Sequence, residues 1–248
     1  MNERETGIVL KQSDYRERDV LLSVYTKTYG KISFVVPGAR KITSKNAASI
    51  LPYEETELLF DAKEGKSLFR LRNAHVLQLF RHLRMDLSSV AAAGVISEVM
   101  DAMTLPRDTH DSEKLYDTLS ASFSALDTGV HPDTVLAVYL GDILTRFGFR
   151  PAVDGCVLCG SDTVCALSAA EGGFLCEKHA EEKQIPQQDR VALARFRMLV
   201  RAGMQHLSYV IDKGGAKQCD VDVLVDMLER YAGVHIKTYT FYTKVRGD

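Results

Sequence analysis

The sequence has 248 residues, of which 46% are hydrophobic and 26% are charged, a composition that is typical of a folded protein and excludes a disordered chain. This length suits two domains of modest size, each with a hydrophobic core of its own. A formal net charge of −2 argues against a protein that binds polyanions over its whole surface. The longest apolar runs, such as Val90 to Ile96, are far shorter than the ~20 residues of a membrane span, so no membrane association is expected.

The N-terminal residues, Met1 to Thr6, are polar and charged and lack the apolar stretch of a secretory signal. We therefore expect a cytoplasmic protein. The chain contains five cysteines, an odd number. In a reducing compartment, close cysteine spacing indicates metal binding rather than disulfide formation.

Short strands are predicted in the first eighty residues, where β-branched, aromatic and aliphatic residues cluster between turn signals. The five strands are Gly7 to Leu10, Val20 to Tyr25, Ile32 to Val36, Leu58 to Phe60 and Leu68 to Leu71. Hairpin turns are predicted at Tyr29-Gly30-Lys31 and between Asp61 and Lys66, around Gly65.

Five mostly meandering strands in about seventy residues are the size of an OB-type barrel, whose open face and loops commonly hold single-stranded nucleic acid. An SH3-like barrel has almost the same strand signature, so the strand count leaves both open. Ile32, Phe34 and Val36 alternate with Ser33 and Val35, which predicts a strand buried mainly on one face. We assign residues 1–81 to this small β-barrel domain.

Beyond residue 82 the apolar period changes from two to between three and four residues, which indicates amphipathic helices. The expected helices are Leu83 to Leu105, a segment behind the capping candidates Asp111 and Ser112, Pro132 to Gly148, Arg190 to Leu207 and Asp220 to Ala232. We assign residues 82–248 to a helical domain. The fold class is therefore α+β, with an N-terminal β-barrel, OB-type or SH3-like, followed by an α-helical domain that carries a zinc-finger insertion.

The zinc finger is predicted at residues 153–182, where a C-x2-C pair is followed after sixteen residues by a C-x2-H pair. The four candidate ligands are Cys156, Cys159, Cys176 and His179. Three thiolates and one imidazole suit the tetrahedral shell of a zinc ion. Two alternatives remain open, namely cysteines without a metal and Cys165 in place of one ligand, His179 being the least certain. The isolated Cys219 is interpreted as a buried or idle thiol.

The pattern favours a structural zinc, because four side-chain ligands fill the shell and leave no position for a water molecule. His179-Ala-Glu181 matches the H-x-E element of zinc deaminases, but there the element precedes the cysteine pair, whereas here it follows. The sequence also lacks the common phosphate-loop, dinucleotide-binding, zinc-protease and serine-hydrolase motifs. We expect a protein that is not an enzyme.

Basic residues concentrate in the barrel. From Val9 to Asn46 there are eight basic and three acidic residues, a local charge of +5, which favours a polyanion-facing surface, although such a run is also common on a solvated face. The candidate nucleic-acid contacts are Lys11, Arg16, Arg18, Arg40, Lys41, Ser44, Lys45, Arg70 and Arg72. Tyr15, Tyr25 and Tyr29 offer stacking surfaces for bases or simply cover the ends of the barrel.

Motifs in the barrel and before the cysteine pair carry a family resemblance. They are Gly7-Ile-Val-Leu-Lys-Gln-Ser-Asp-Tyr-Arg-Glu-Arg-Asp19, Tyr25-Thr-Lys-Thr-Tyr-Gly-Lys31, Val36-Pro-Gly-Ala-Arg-Lys41, and Phe147-Gly-Phe-Arg-Pro151 ahead of Cys156-x-x-Cys159-Gly. Together they resemble the bacterial RecO family of DNA repair proteins. Residues 83–145 and those after Val191 match this family only as helical sequence.

The resemblance implies an OB-fold nucleic-acid-binding domain at residues 1–81, a helical domain with a zinc finger, and a recombination mediator that binds single- and double-stranded DNA, anneals strands and helps RecA to load. It also implies association with RecR and with the single-strand-binding protein, whose C-terminal tail is the expected contact. His179 departs from the family, in which cysteine often occupies this position.

Two further hypotheses concern protein partners. The competing function is a zinc-ribbon protein-interaction adaptor without direct DNA binding. Four arginines on one helix in the C-terminal part of the chain either recognise an acidic peptide tail or lie on the solvent-exposed side of that helix. They are Arg190, Arg195, Arg197 and Arg201.

Overall fold

The computed structural model describes residues 2–62, 66 and 68–246. The chain forms two compact units, one comprising Met1–Gly129 with Thr238–Asp248 and the other Val130–Lys237. The strands are β1 (Asn2–Asp14), β2 (Val20–Thr26), β3 (Gly30–Val36), β4 (Glu55–Asp61), β5 (Leu68–Gln78), β6 (Ala152–Cys156), β7 (Ala166–Ser168) and β8 (Gly173–Leu175). The α-helices are α1 (Leu87–Met103), α2 (Ser112–Asp127), α3 (Pro132–Arg146), α4 (Glu177–Glu182), α5 (Arg190–Ala202), α6 (Leu207–Asp212), α7 (Gln218–Ala232) and α8 (Lys237–Arg246).

The first five strands form a closed barrel in the order β1-β2-β3-β5-β4. The pairing is antiparallel except between β3 and β5, which run parallel. A five-stranded Greek-key barrel with this order is an OB fold, so the predicted fold is confirmed. Strand counting could not separate it from an SH3-like barrel, because the distinction lies in the pairing of distant strands.

The barrel core follows the alternation in the sequence. Ile32, Phe34 and Val36 are buried, as predicted, while the residues between them are half-buried. Phe34 packs edge to face against Phe60, with the ring centroids 5.0 Å apart, and Phe69 completes the aromatic cluster. This rigid core fixes the positions of the strand connections that emerge from the barrel.

The first predicted hairpin turn joins β2 to β3 at residues 27–29, with Gly30 at a φ of 62°. A Cβ atom at Gly30 would lie 2.1 Å from the carbonyl oxygen of Asp108, so both the backbone angle and the close approach require glycine here. The second predicted turn, around Gly65, lies outside the described residues.

Helices α1 and α2 pack against β1 and β2. The α1 helix begins behind Asp86, whose carboxylate accepts hydrogen bonds from the N–H and the hydroxyl of Ser89, an N-cap arrangement. Near the other end of α1, Asp101 accepts a hydrogen bond of 2.7 Å from Ser23 on β2. The helices therefore cover the end of β2 and β3 that faces away from the β1–β2 and β3–β4 connections.

The second unit is built around α3, which contacts α5, α6 and α7. The α3 helix begins at Pro132, as predicted, and most of its side chains are buried. A Cβ atom at Gly141 would lie 3.2 Å from the backbone of Leu199 and Val200, so glycine lets α3 and α5 approach closely. Between α3 and α5 lies a small three-stranded sheet in the order β6-β8-β7, followed by α4.

One predicted helix is wrong in its extent. The sequence predicts a single helix from Arg190 to Leu207, but α5 ends at Ala202, and a short 3-10 helix at Met204–His206 leads into α6. Gly203 has a φ of 64° and a ψ of 165°, a conformation that ends an α-helix. Apolar periodicity continued across this residue, so it concealed the break.

The predicted domain boundary at residues 81 and 82 stays a prediction. The last barrel strand ends at Gln78, but α1 and α2 belong to the same compact unit as the barrel. None of the described helices combines the length and the hydropathy needed to span a bilayer.

Candidate metal centre and nucleic-acid interface

Three thiols and one imidazole converge in the small sheet of the second unit. The ligand atoms of Cys156, Cys159, Cys176 and His179 all lie within 4.8 Å of one another. The His179 Nδ1 atom is 3.4 Å from the Cys156 sulfur and 3.3 Å from the Cys176 sulfur, and the sulfurs of Cys159 and Cys176 are 3.8 Å apart. The structure therefore brings the four predicted ligands together.

These separations fit a single tetrahedral ion. With bonds of ~2.3 Å to sulfur and ~2.05 Å to nitrogen, neighbouring ligand atoms of a zinc site lie about 3.8 Å (S to S) and about 3.5 Å (S to N) apart. The distances of 3.8 Å, 3.4 Å and 3.3 Å in this site match those edges. The group can hold a metal ion, and its donor set is one that zinc prefers.

Local backbone geometry places each ligand. Cys156 ends β6, and its carbonyl oxygen accepts a hydrogen bond of 2.7 Å from the N–H of Gly160, whose φ of 75° closes the turn. Cys176 precedes the first residue of α4, and His179 lies three residues later on the same side of that helix. The C-x2-C pair is thus held by a turn and the C-x2-H pair by a helix start.

The environment of Cys156 favours its thiolate. Burial raises the pKa of this thiol, but several hydrogen bonds to its sulfur lower the pKa to about 6. The donors are the N–H groups of Cys176, Leu158 and Cys159 and the ring of His179. Because thiolates rather than thiols bind metals, the backbone prepares this ligand for an ion.

Cys165 does not belong to the group of four. Its N–H bonds to the carbonyl of Leu175, and its carbonyl accepts the N–H of Gln188. The side chain packs against a small core that includes Leu175 and Ala180, and burial, followed by nearby negative charges, raises the pKa of its thiol. The arrangement supports His179 as the fourth ligand. Cys219 is exposed, so the buried alternative for that thiol is wrong.

The predicted nucleic-acid contacts lie on two barrel connections and on two strands. Lys11 is on β1, Arg16 and Arg18 are in the β1–β2 connection, Arg40, Lys41, Ser44 and Lys45 are in the β3–β4 connection, and Arg70 and Arg72 are on β5. Ser44 is half-buried and the eight basic residues are exposed.

The two connections are joined to each other. The N–H of Arg40 donates a hydrogen bond of 3.2 Å to the carbonyl of Arg18, and the N–H of Gly38 donates one of 2.9 Å to the carboxylate of Asp19. The Arg40 guanidinium also forms an exposed ion pair of 3.1 Å with Asp14. Arginines that are 22 residues apart in the sequence therefore lie side by side.

A groove of about 530 Å³ lies between the β3–β4 connection and β5. It is lined by Pro37, Asn46, Asp61, Arg70, Leu71 and Arg72. Asn46 ties the connection to β5 through bonds to the carbonyl of Arg72 and the N–H of Ala74. Arg72 forms an ion pair of 2.8 Å with Asp61, whereas Arg70 has no acidic partner within ion-pair distance in the described parts of the chain.

The remaining basic residues of the +5 segment are neutralised at the other end of the barrel. Lys27 lies 3.0 Å from Glu113 and 3.9 Å from Asp117, and a hydrogen bond to Glu113 and then the charge of Asp117 raise the pKa of Lys27. Lys31 is paired with Asp101 at 3.6 Å. Within the described residues, five cations of the segment have no acid at ion-pair distance. They are Lys11, Arg16, Arg18, Lys41 and Lys45.

Only one of the three candidate stacking tyrosines is exposed. Tyr25 is buried, and Tyr29 donates a hydrogen bond of 2.6 Å to Glu3 while packing against the barrel core. Tyr15 is 43% exposed, and the Arg16 guanidinium lies 5.1 Å from the centre of its ring. Sequence reasoning could not separate these tyrosines, because their burial depends on helices and strands distant in the chain.

Comparison with known proteins covers both halves of the chain. Residues 1–80 match the family described as Recombination protein O N terminal, and residues 84–237 match Recombination protein O C terminal. The chain belongs to the RecO family. Proteins named DNA repair protein RecO from Bacillus mycoides, Enterococcus faecalis and Bacillus cereus are 29%, 28% and 28% identical to it. Each match covers 97% of this chain and 96%, 91% and 96% of the respective relative.

Membership of the RecO family confirms the resemblance seen in the barrel motifs and supports a role in DNA repair and recombination. It also places the OB barrel and the three-cysteine, one-histidine group in a chain matched over nearly its full length by RecO proteins. The family match leaves the roles of single residues open.

Two of the four arginines on α5 of this RecO family member hold the second unit together. Arg195 forms a two-point ion pair with the buried Asp220, at 2.6 Å and 3.2 Å. Arg197 donates a hydrogen bond of 2.6 Å to the carbonyl of Val153. Arg190 and Arg201 are exposed, but Arg201 is already paired with Asp154, so a recognition site that uses all four arginines is not available on this helix.

Proposed function

We propose that this chain is a DNA-binding recombination mediator that anneals single strands and assists RecA loading in DNA repair. The observation that carries the proposal is the division of the barrel cations into those that are paired with acidic residues and those that are not. Lys27 and Lys31 are paired with acids of α2 and α1. In the β1–β2 and β3–β4 connections of the OB barrel, by contrast, every candidate cation except Arg40 has no acid at ion-pair distance among the described residues.

Phosphate binding is the chemistry that these cations suit. Exposed lysines and arginines next to hydroxyl groups bind phosphate oxygens without reading the base sequence. Neutralised phosphates release counterions, so the affinity should fall steeply with salt. In the proposal the contacts are Lys11, Arg16, Arg18, Arg40, Lys41, Ser44, Lys45, Arg70 and Arg72.

Arg40 and Arg72 already have acidic neighbours, in Asp14 and Asp61. These two arginines would exchange a carboxylate for a phosphate on binding, so they contribute less to affinity than the cations without an acidic neighbour. The groove beside Arg70 and Arg72 offers a path for a strand that leaves the loops.

The metal centre takes a structural role in the proposal, with zinc as the ion. Three thiolates and one imidazole complete a tetrahedral shell and leave no position for a reactive water, which supports a protein that is not an enzyme. The ion would fix the turn at Cys156 and the start of α4, and so the shape of the ribbon at residues 153–182.

The proposed partners are single- and double-stranded DNA, RecR and the C-terminal tail of the single-strand-binding protein, with the protein acting in the cytoplasm. Family membership supports these partners. An acidic tail needs an exposed basic site. On α5 the side chain of Arg190 is exposed, and Arg201 would exchange its ion pair with Asp154 for one with the tail.

A titration of a labelled single-stranded oligonucleotide tests the proposal. The Arg40→Ala, Lys41→Ala, Lys45→Ala triple variant should bind weakly and anneal complementary strands slowly. Lys27→Ala is the matched control, because Lys27 is an exposed barrel cation that is paired with Glu113. We expect this control to bind as the unmodified protein does.

Each cation that leaves a phosphate contact should reduce the magnitude of the negative slope of log K against log salt by about 1. Equal affinity and equal slope in the triple variant and in the unmodified protein would show that the β3–β4 connection does not contact the DNA phosphates. A protein that binds partners but no oligonucleotide would instead support the adaptor hypothesis.

A further inference from the structure

Ile42 is the most exposed large apolar side chain of the described residues. Its relative exposure is 106%, and that of the next, Met85, is 83%. Single exposed apolar residues are common on protein surfaces, so the exposure of Ile42 does not by itself indicate a binding function. The fixed backbone and the flanking cations of Ile42 do indicate one.

The backbone on both sides of Ile42 is held in place. The N–H of Lys41 bonds to the carbonyl of Gly38 at 3.0 Å, and the N–H of Ser44 bonds to the carbonyl of Lys41 at 2.9 Å. Asn46 then fixes the end of the loop to β5. Two consecutive turns therefore present Ile42 at the tip of a supported loop.

Cations flank this tip. Lys41 precedes Ile42, and Lys45 follows three residues later, with Thr43 and Ser44 between them and no acidic residue from Arg40 to Lys45. An occupant of this loop must offer negative charge to the lysines and an apolar surface to the isoleucine, within the span of one turn. A nucleic-acid strand has that combination, since its base faces lie directly inside its row of phosphates.

We propose that Ile42 inserts between neighbouring bases of a bound DNA strand while Lys41 and Lys45 hold phosphates on either side of it. Proteins that unstack base steps use wedges of this kind, with isoleucine among the residues employed. The inference rests on the proposed DNA-binding function. It adds that the β3–β4 connection changes base stacking and does not only hold the backbone.

Fluorescence of 2-aminopurine reports base stacking directly and tests the inference in the full-length protein. The probe is a short DNA duplex with an unpaired tail, with 2-aminopurine placed in turn in the duplex, at the junction and in the tail. We expect the unmodified protein to raise the emission several-fold at one or more of these positions. Ile42→Ser should bind with nearly the same salt slope and without the rise in emission.

Two variants serve as controls. Ile42→Leu retains an apolar wedge and should keep the rise. Leu51→Ser removes another exposed apolar side chain of the same connection, beyond the run of cations, and should leave the rise unchanged. Because Ile42 makes no buried contact, its serine variant should unfold at the same temperature as the unmodified protein.

The outcomes separate the inference from the function on which it rests. Binding with an equal rise in Ile42→Ser, or binding by the unmodified protein with no rise at any position, overturns the wedge and leaves the DNA-binding proposal standing. Absence of binding by the unmodified protein overturns the proposed function and the wedge together. If Ile42→Ser instead abolishes self-association and leaves the emission unchanged, the side chain belongs to a contact between copies of the chain.

Discussion

Removing the proposed zinc ion should unfold the ribbon locally and leave the surrounding helices folded. The core beneath the four ligands contains only Cys156, Ala166, Leu175 and Ala180 as buried residues. Burial of one leucine contributes about 1.5–3 kcal/mol, and each alanine methyl contributes about 0.8 kcal/mol. Structural zinc sites contribute about 10–16 kcal/mol, so the ion, rather than the small core, would hold this segment.

Hydrogen–deuterium exchange measures this effect, with the protein stripped by a chelator and with the variant Cys176→Ala. Amides at residues 156–185 should lose protection, and those of α3, α5 and α7 should keep it, because these helices pack on one another through a separate core. Within this segment the amides of β8 should lose protection last, since Phe174 of β8 lies beside Phe196 of α5 with the ring centroids 6.2 Å apart.

Cys219→Ala is the control for this experiment, because Cys219 is an exposed thiol outside the group of four. It should change neither the metal content nor the exchange pattern. Full protection of residues 156–185 in protein shown by mass spectrometry to carry no metal would refute the reasoning, since the small core would then suffice on its own.

Further changes test the barrel and the second unit. Tyr15→Ala should weaken single-strand binding by about 1–3 kcal/mol, the contribution of one base stacked on an aromatic ring, in a fluorescence titration; an unchanged affinity would exclude stacking on Tyr15. Burial raises the pKa of Glu54, and the Arg84 guanidinium 3.4 Å away offsets this only in part, so the charged form of Glu54 destabilises the fold and stability falls as pH rises above the unfolded carboxyl pKa of about 4.3. Glu54→Gln should therefore raise the melting temperature at neutral pH, by a margin that disappears below that pKa; an equal margin at all pH values would contradict this cause. Asp220→Ala should cost about 3–5 kcal/mol in denaturant unfolding, because it leaves the partly buried charge of Arg195 unpaired; a loss well below that would mean that solvent replaces the carboxylate.

The convergence of the four candidate metal ligands could be predicted in part from the sequence, because the geometry within each pair is local. Cys156 and Cys159 share one turn, and Cys176 and His179 share one helix start, so the spacing itself fixes the geometry within each pair. The meeting of the two pairs depends on the β6–β8 pairing, for which the sequence supplies only turn signals. Cys165 could not be set aside from spacing, since its exclusion follows from its packing against the ribbon core.

The barrel strands could also be predicted from the sequence. The alternation of Ile32, Phe34 and Val36 with more polar or half-buried residues reflects the two-residue period with which side chains of a strand face the core. The closure of these strands into a barrel could not be predicted. It depends on the parallel pairing of β3 with β5, and the residue pattern of neither strand indicates which other strand it pairs with. The end of α5 before Gly203 could not be predicted for a related reason. Apolar periodicity describes which face is buried, and it continues when a new helix takes over the same face.

Charge segregation explains how a chain with a net charge of −2 could carry the proposed polyanion-binding surface. The acids of α1 and α2 that pair with Lys31 and Lys27 lie at one end of the barrel. At the other end, the cations of the β1–β2 and β3–β4 connections meet only Asp14 at ion-pair distance among the described residues. Because salt screens charges beyond roughly 10 Å, a DNA strand at these connections would respond to the local cations and not to the net charge. If Asp101→Ala and Glu113→Ala, which free Lys31 and Lys27, left DNA binding unchanged, the two ends of the barrel would be electrostatically independent, as this arrangement requires. A marked gain in affinity would show instead that the paired end also faces the nucleic acid.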